Sequence, residues 1–255
     1  MERDLGHLPL AELRQTILNC QACFLPGTGC RHHEDAVGGY DPERIAVIGI
    51  NPQAAPGEKV YESIQQANWK IKLALSDRLL DIFSGQATFE TVHPAWSWMN
   101  RKHKGVRNWL PRVQKHFGVQ SGAILARNFV FLETFKHATA SQPALEREPT
   151  WEKIRRLCPG LMIEQLVRIR PRLVGLCGSS GLHTVAPLLG LGALATGSSR
   201  AKITHLHGRT EIGGVRGQTF PVLFTIAVSS QTSRAWKSNS LGTASVQAVI
   251  QDHLR

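Results

Sequence analysis

The chain has 255 residues, 42% of them hydrophobic, which suits one large α/β domain with a substantial core. No apolar run approaches the ~20 residues that span a bilayer, and the opening Met1-Glu2-Arg3-Asp4-Leu5 carries no signal-peptide pattern. The expectation is therefore a cytoplasmic protein without a membrane partner. Thirty Lys and Arg against nineteen Asp and Glu give a net charge of +11, which points to polyanionic partners.

In chain order, apolar residues at Leu10, Leu13, Ile17 and Leu18 predict a helix within Leu8 to Cys23, ending in Cys20-Gln21-Ala22-Cys23. Pro26, Gly27 and Gly29 break it, and Cys30-Arg31-His32-His33 follows. Ile45 to Gly49 is short, apolar and mostly β-branched, the pattern of a strand buried on both faces. It runs into Asn51-Pro52-Gln53, a rigid loop at the carboxyl end of the strand, which is where ligands sit in open parallel sheets. Pro52 fixes its own φ and biases Asn51 toward an extended conformation, holding the Asn amide in place. The plainer alternative is a turn that merely follows a core strand.

Val60 to Phe83 reads as one or two helices, and Val106 to Phe117 as a basic helix. Asn128 to Thr134 is a second predicted strand. Thr150 is an expected N-cap for a helix from Trp151 to about Arg168, with Pro159 positioned to interrupt or kink it. Leu173 to Cys177 is a third strand, followed by Gly178-Ser179-Ser180-Gly181 and a helix to Leu189. Ile203 to Leu206 is a short strand with a Gly-rich excursion after it. Pro221 to Val228 is a further core strand and Thr243 to Leu254 a closing helix. Strands alternating with helices imply a mostly parallel sheet covered on both faces. No repeat or linker divides residues 1–255, so one domain is expected.

The charge is unevenly placed. No acidic residue falls between Glu90 and Glu133, whereas Arg101, Lys102, Lys104, Arg107, Arg112, Lys115 and Arg127 all do, interleaved with Trp96, Trp98 and Trp109. A second acid-free stretch runs from Ile212 to Gln251. Basic side chains neutralise phosphates and aromatic faces stack on bases, so DNA is the expected partner, a solvated basic face being the alternative. There is no Walker motif or Gly-x-Gly-x-x-Gly fingerprint, so no nucleotide cofactor is expected. The five cysteines argue for metal or buried thiols rather than disulfides.

The order of motifs resembles the uracil-DNA glycosylase superfamily, closest to its iron–sulfur members. It comprises a helix ending in Cys-x-x-Cys, a strand into Gly49-Ile50-Asn51-Pro52-Gln53, and a strand ending in Phe135-Lys136-His137. A helix with Cys158 and a last strand leading to a Ser-rich loop ending at Arg234 complete it. The resemblance implies a three-layer α/β/α sandwich around a mostly parallel four-stranded sheet, acting as a monomer. It implies a [4Fe–4S] cluster on Cys20, Cys23, His137 and Cys158. A local zinc knot of Cys20, Cys23, Cys30 and His32 or His33, or plain core cysteines, are the alternatives.

By the same resemblance, Asn51 orients the water that attacks C1′ of a flipped nucleotide, and Gly49, Ile50, Pro52, Gln53 and Tyr61 line the base pocket. Tyr61 could equally be core. The second motif has Ala227 where the superfamily supplies a His, which leaves Ser229, Ser230 or His205 to stabilise the departing base. The loop through Gln231 to Arg234 resembles the one that wedges into DNA. Glu133 stands where the iron–sulfur members have an Asn that reads uracil. An ionised carboxylate only accepts hydrogen bonds, which suits the amino group of a cytosine ring rather than uracil O4. The expected activity is thus a monofunctional DNA glycosylase acting on a modified cytosine, in phage defence or in repair. The alternatives are a uracil-excising enzyme, a non-catalytic DNA- or abasic-site-binding protein, and a structural Glu133 paired with Lys136 or an Arg.

Overall fold

The computed structural model describes residues 9–18, 40–49, 81, 86–87, 113–135, 146–147, 149–178, 184–192, 206–225 and 240–254. In chain order the elements are α1 (Leu10–Leu18), β1 (Ile45–Gly49), a helical segment at 113–117, α2 (Gly122–Asn128), β2 (Phe129–Glu133) and α3 (Trp151–Ile169). Then come β3 (Leu173–Cys177), a 3₁₀ turn (Ala186–Leu189), β4 (Thr210–Val215), β5 (Gln218–Thr225) and α4 (Ser240–Asp252).

The sheet order is β2-β1-β3-β5-β4. β2, β1, β3 and β5 are mutually parallel, and β4 pairs antiparallel with β5 at the edge. The expected α/β class with a mostly parallel sheet holds, but the sheet has five strands, not four. The additional strand lies in the Gly-rich excursion, while Leu206, expected to end a strand, sits in a helical turn. Its glycines hid it from the sequence pattern. A Cβ at Gly213 would come within 3.1 Å of the Leu189 carbonyl and closer still to Val222, so the 3₁₀ turn can seat on this strand only without a side chain there. The β4–β5 hairpin closes on Arg216 and Gly217 with φ of 46° and 78°, two positive φ values as a type I′ turn requires.

Alternation along the strands divides the core in two. Ala46, Ile48, Val130, Leu132, Val174, Leu176, Val222 and Phe224 face α3, through Met162, Leu166 and Ile169, and the 3₁₀ turn. Ile45, Val47, Phe129, Leu173 and Leu223 face the other way, onto Val113 and Phe117, Leu125 of α2, and Val246 and Ile250 of α4. Helices therefore cover both faces. α1 lies against α3 through Leu13, Ile17 and Leu161, and the chain entering β1 is tied to α3 by Gln165 Nε2 donating to the Tyr40 hydroxyl at 2.8 Å.

Two local expectations at α3 need correction. The helix runs through Pro159 without interruption. Thr150 makes no side-chain cap: its φ and ψ of −96° and 9° are not the extended pair a capping side chain needs, and the amides of Lys153 and Ile154 donate to its carbonyl instead. Asn128, expected to start the second strand, is the last residue of α2, where its amide Nδ2 donates back to the Ile124 carbonyl. The helix expected to reach Leu189 ends in the short 3₁₀ turn.

Candidate functional site

In the order β2-β1-β3 the chain leaves β1 toward one side and returns on the other, so the connections diverge around β1. In such a sheet the crevice for a ligand opens at the carboxyl ends of the strands on either side of that switch. Here the register pairs Gly49, the last residue of β1, with Glu133, the last of β2. Ile48 pairs with Leu176, so Cys177 comes level with Gly49 on the other side, and Cys177 pairs in turn with Thr225 at the end of β5. Strand alternation puts Glu133, Gly49, Cys177 and Thr225 on one face, continuing the columns of Phe131, Val47 and Leu223. One face of the carboxyl edge thus carries a row of a carboxylate, a gap, a thiol and a hydroxyl.

The gap at Gly49 is filled by its neighbour. A Cβ there would overlap Glu133 Oε2 and come within 2.9 Å of Cδ, so the half-buried Glu133 lays its carboxyl group across β1. Its charge is felt on the far side. Burial first, and the Glu133 carboxylate second, push the Cys177 thiol up to about 12. Cys177 is a neutral thiol at physiological pH and not an activated nucleophile. The Gly49 carbonyl is held as well: the Thr134 backbone N–H donates to it at 3.1 Å and the Thr134 hydroxyl at 2.9 Å. The Gly49 carbonyl is thus fixed by Thr134, just after β2, and the space beside the Gly49 Cα is filled by Glu133.

Beyond Thr225 the row ends in imidazoles. His116, on the 113–117 segment, is fully buried, and its Nε2 is hydrogen-bonded to Thr225 Oγ1. Its ring lies 6.1 Å from that of His207, which sits in the turn ahead of β4. Burial chiefly, and His207 next, hold the His116 pKa down to about 3, and burial lowers that of His207. Both rings are neutral near pH 7.

Of the residues singled out in the sequence, Gly49 and Glu133 meet in this row. Cys158 lies elsewhere, buried on α3 against Phe135 and Ile154, with Trp151 at the edge of the same cluster. Of the four residues expected to hold a cluster only Cys158 is described, and its thiol is a soft donor. Cys20, Cys23, His137, Ile50, Asn51, Pro52, Gln53, Tyr61, Arg101, Lys102, Lys104, Arg107, Ser229, Ser230, Gln231 and Arg234 lie outside the described residues, as do Lys136 and His205. Among the described residues no three His, Cys, Asp or Glu side chains converge as metal ligands. No described helix is long and apolar enough to cross a membrane.

Sequence reading missed Cys177, Thr225, His116 and His207. The first two carry a usable signal: stepping along the strands in twos from Gly49 and Glu133 leads to them once the register is known. Thr225 hides because the expected strand ran on to Val228, so it read as an interior position. A shallow hollow of about 420 Å³, lined by residues including Ile124, Arg127, Gln251 and Leu254, lies at the opposite, amino-terminal side of β2. It shares no residue with the row. No protein-family model matches the chain, and no curated protein matches it.

Proposed function

We propose that the protein is a DNA glycosylase of the uracil-DNA glycosylase type, acting on a cytosine-derived base. One observation carries the reading: the Glu133 carboxylate is laid across Gly49 at the carboxyl edge of the sheet, two residues ahead of Asn51. An acceptor held there suits a base that presents an amino group and disfavours one that presents a carbonyl. In this mechanism a nucleotide is flipped from the duplex, and Asn51 orients a water toward its C1′. The C1′–N bond breaks, the water oxygen bonds C1′, and the base leaves with the proton that the water gives up. Asn is a weak base, so the rate depends on positioning and on the surrounding dipoles.

Arg101, Lys102, Lys104 and Arg107, together with Gln231 and Arg234, serve as the DNA contact. Cys20, Cys23, His137 and Cys158 would hold a [4Fe–4S] cluster, a reading supported by the softness of their three thiolate donors. Such a cluster contributes folding free energy when bound. The protein acts as a cytoplasmic monomer, and the modified base belongs to phage-type DNA.

The test is an alkaline-cleavage assay for abasic sites on duplexes bearing uracil, mismatched thymine, deaminated purines or hypermodified cytosines. Wild-type protein should cut only after modified cytosine, and Asn51→Ala should bind the same DNA and cut none of it. Cleavage at uracil would make Glu133 structural, and no cleavage on any substrate would leave a DNA-binding protein without the chemistry.

A further inference from the structure

His116 is a fully buried, neutral imidazole that the proposed reaction does not use. Its partner Thr225 is also buried, at 3% exposure, and is the last described residue of β5. Setting two polar side chains into a sheet face otherwise made of Val, Leu, Ile and Phe costs free energy unless they satisfy each other. His116 Nε2 and Thr225 Oγ1 do so across 109 residues of sequence. The contact joins the helical segment at the end of the basic stretch to the point where the chain passes from β5 toward Ala227, Ser229 and Arg234. The turn containing His207 is bound at the same place, the Gly208 amide donating to the Phe224 carbonyl at 2.8 Å and the Phe224 amide to the Arg209 carbonyl at 3.0 Å. Thr225 is therefore held by its side chain, by its neighbour's backbone, and by its ladder with Cys177.

We infer that His116 is a positioning residue: through Thr225 it fixes the carboxyl end of β5 beside Cys177, and so the last member of the polar row that Glu133 begins. This rests on the glycosylase reading for its consequence, but the anchoring itself is independent of any activity. A hydrogen-bonding but uncharged group is needed here, because a cation at this depth would lie unsolvated beside a second imidazole. Gln can supply such a group from a similar distance; Leu cannot.

The experiment compares wild type with His116→Leu, Thr225→Val and His116→Gln, by amide hydrogen exchange and by single-turnover excision on the DNA that wild type cleaves. His116→Leu and Thr225→Val should speed exchange at residues 222–225 about fivefold, as losing one hydrogen bond implies, with β1 unchanged. Both should slow excision by about tenfold or more at unchanged DNA Kd, the signature of a misplaced polar row rather than lost binding. His116→Gln should restore both. Unchanged exchange in the two variants would overturn the anchor. Faster exchange with a wild-type rate, or exchange that rises equally in β1 and that Gln does not rescue, would reduce His116 to a packing residue. If wild type excises no base, the glycosylase reading fails, while the exchange pattern still decides the anchor.

Discussion

The two faces of the parallel strands begin alike and end differently. Toward α3, the columns run Ala46–Ile48, Val130–Leu132, Val174–Leu176 and Val222–Phe224, apolar to the carboxyl edge. Toward 113–117 and α4 they start with Ile45, Phe129, Leu173 and Leu223, but finish in Gly49, Glu133, Cys177 and Thr225. Strand alternation is the same on both sides, so the difference is not imposed by the fold. One face spends its whole length on burial, and the other gives up its last layer to polar groups. The row interrupts a good core in four adjacent strands at one edge, which local burial alone does not require.

The contrast is broken most severely by attacking the apolar layers. Phe129 is fully buried with its ring 5.5 Å from that of Phe117 and 6.3 Å from that of Phe131. Phe129→Ala should cost about 4 kcal/mol in chemical denaturation, from lost transfer free energy plus a cavity. Leu132→Ala, in the last layer of the opposite face, should cost about 3 kcal/mol, because that face stays apolar up to the carboxyl edge.

Among the described residues the α3 face carries a buried carboxylate of its own, and it serves structure. Glu164, at 1% exposure, is paired with Arg216 in the β4–β5 turn, while Gln218 Nε2 donates to the Val167 carbonyl at 3.0 Å. Together they pin the hairpin to α3. Arg216→Ala strands the Glu164 charge, and because Arg216 is itself partly exposed the expected loss is about 2 kcal/mol, below that of a fully buried pair. Adding Glu164→Leu should recover most of it, and a double variant as unstable as the single one would contradict this account.

Acid should find the other face first. The folded-state pKa of His116, about 3, lies below its ordinary value of 6.5, so the unfolded chain takes up the proton first. Stability is then fully present above about pH 6.5 and falls with decreasing pH toward 3, by up to about 1.4 kcal/mol per pH unit for one such group. His207, lowered by burial, adds in the same direction. Denaturation measured at pH 7, 6 and 5 should show this slope in wild type and a shallower one in His116→Gln.

These differences were unevenly visible in the sequence. The β-branched run at 45–49 and the Leu173–Cys177 strand were legible because a strand buried on both faces needs continuous apolar residues. β4 was not, because its Gly213 exists to admit the Leu189 carbonyl, a contact from a segment more than twenty positions away in the chain. Gly49 and Glu133 were singled out separately, but their contact depends on register, which no local pattern encodes. His116 looked like one more residue of a basic helix. Its partner is set by tertiary packing alone.

Thr134→Val removes the hydroxyl that supports the Gly49 carbonyl but leaves the backbone N–H in place. It should cost about 1 kcal/mol. If the last peptide of β1 orients Asn51, it should also slow excision more than that loss of stability explains.

The smallest expected change in stability is the most informative about the polar layer. Gly49→Ala puts a methyl group into the space occupied by Glu133 Oε2, but the obstacle is the tip of a flexible side chain, not backbone. The carboxyl group can swing away, and Ala is no worse than Gly in a strand, so the melting curve should shift by less than about 1 kcal/mol. The Cys177 thiol should respond, because part of what pushes it up to about 12 is the carboxylate that the methyl group displaces. Thiol titration should therefore move down in Gly49→Ala, and likewise in Glu133→Gln, which removes the charge without adding bulk. If both variants lower the Cys177 pKa and both lose discrimination for an amino-bearing base, the carboxylate acts at the switch point because Gly49 leaves it room. A Gly49→Ala protein that keeps a high thiol pKa and full base selectivity would mean that Glu133 reads from its own strand, and that the gap at Gly49 is incidental.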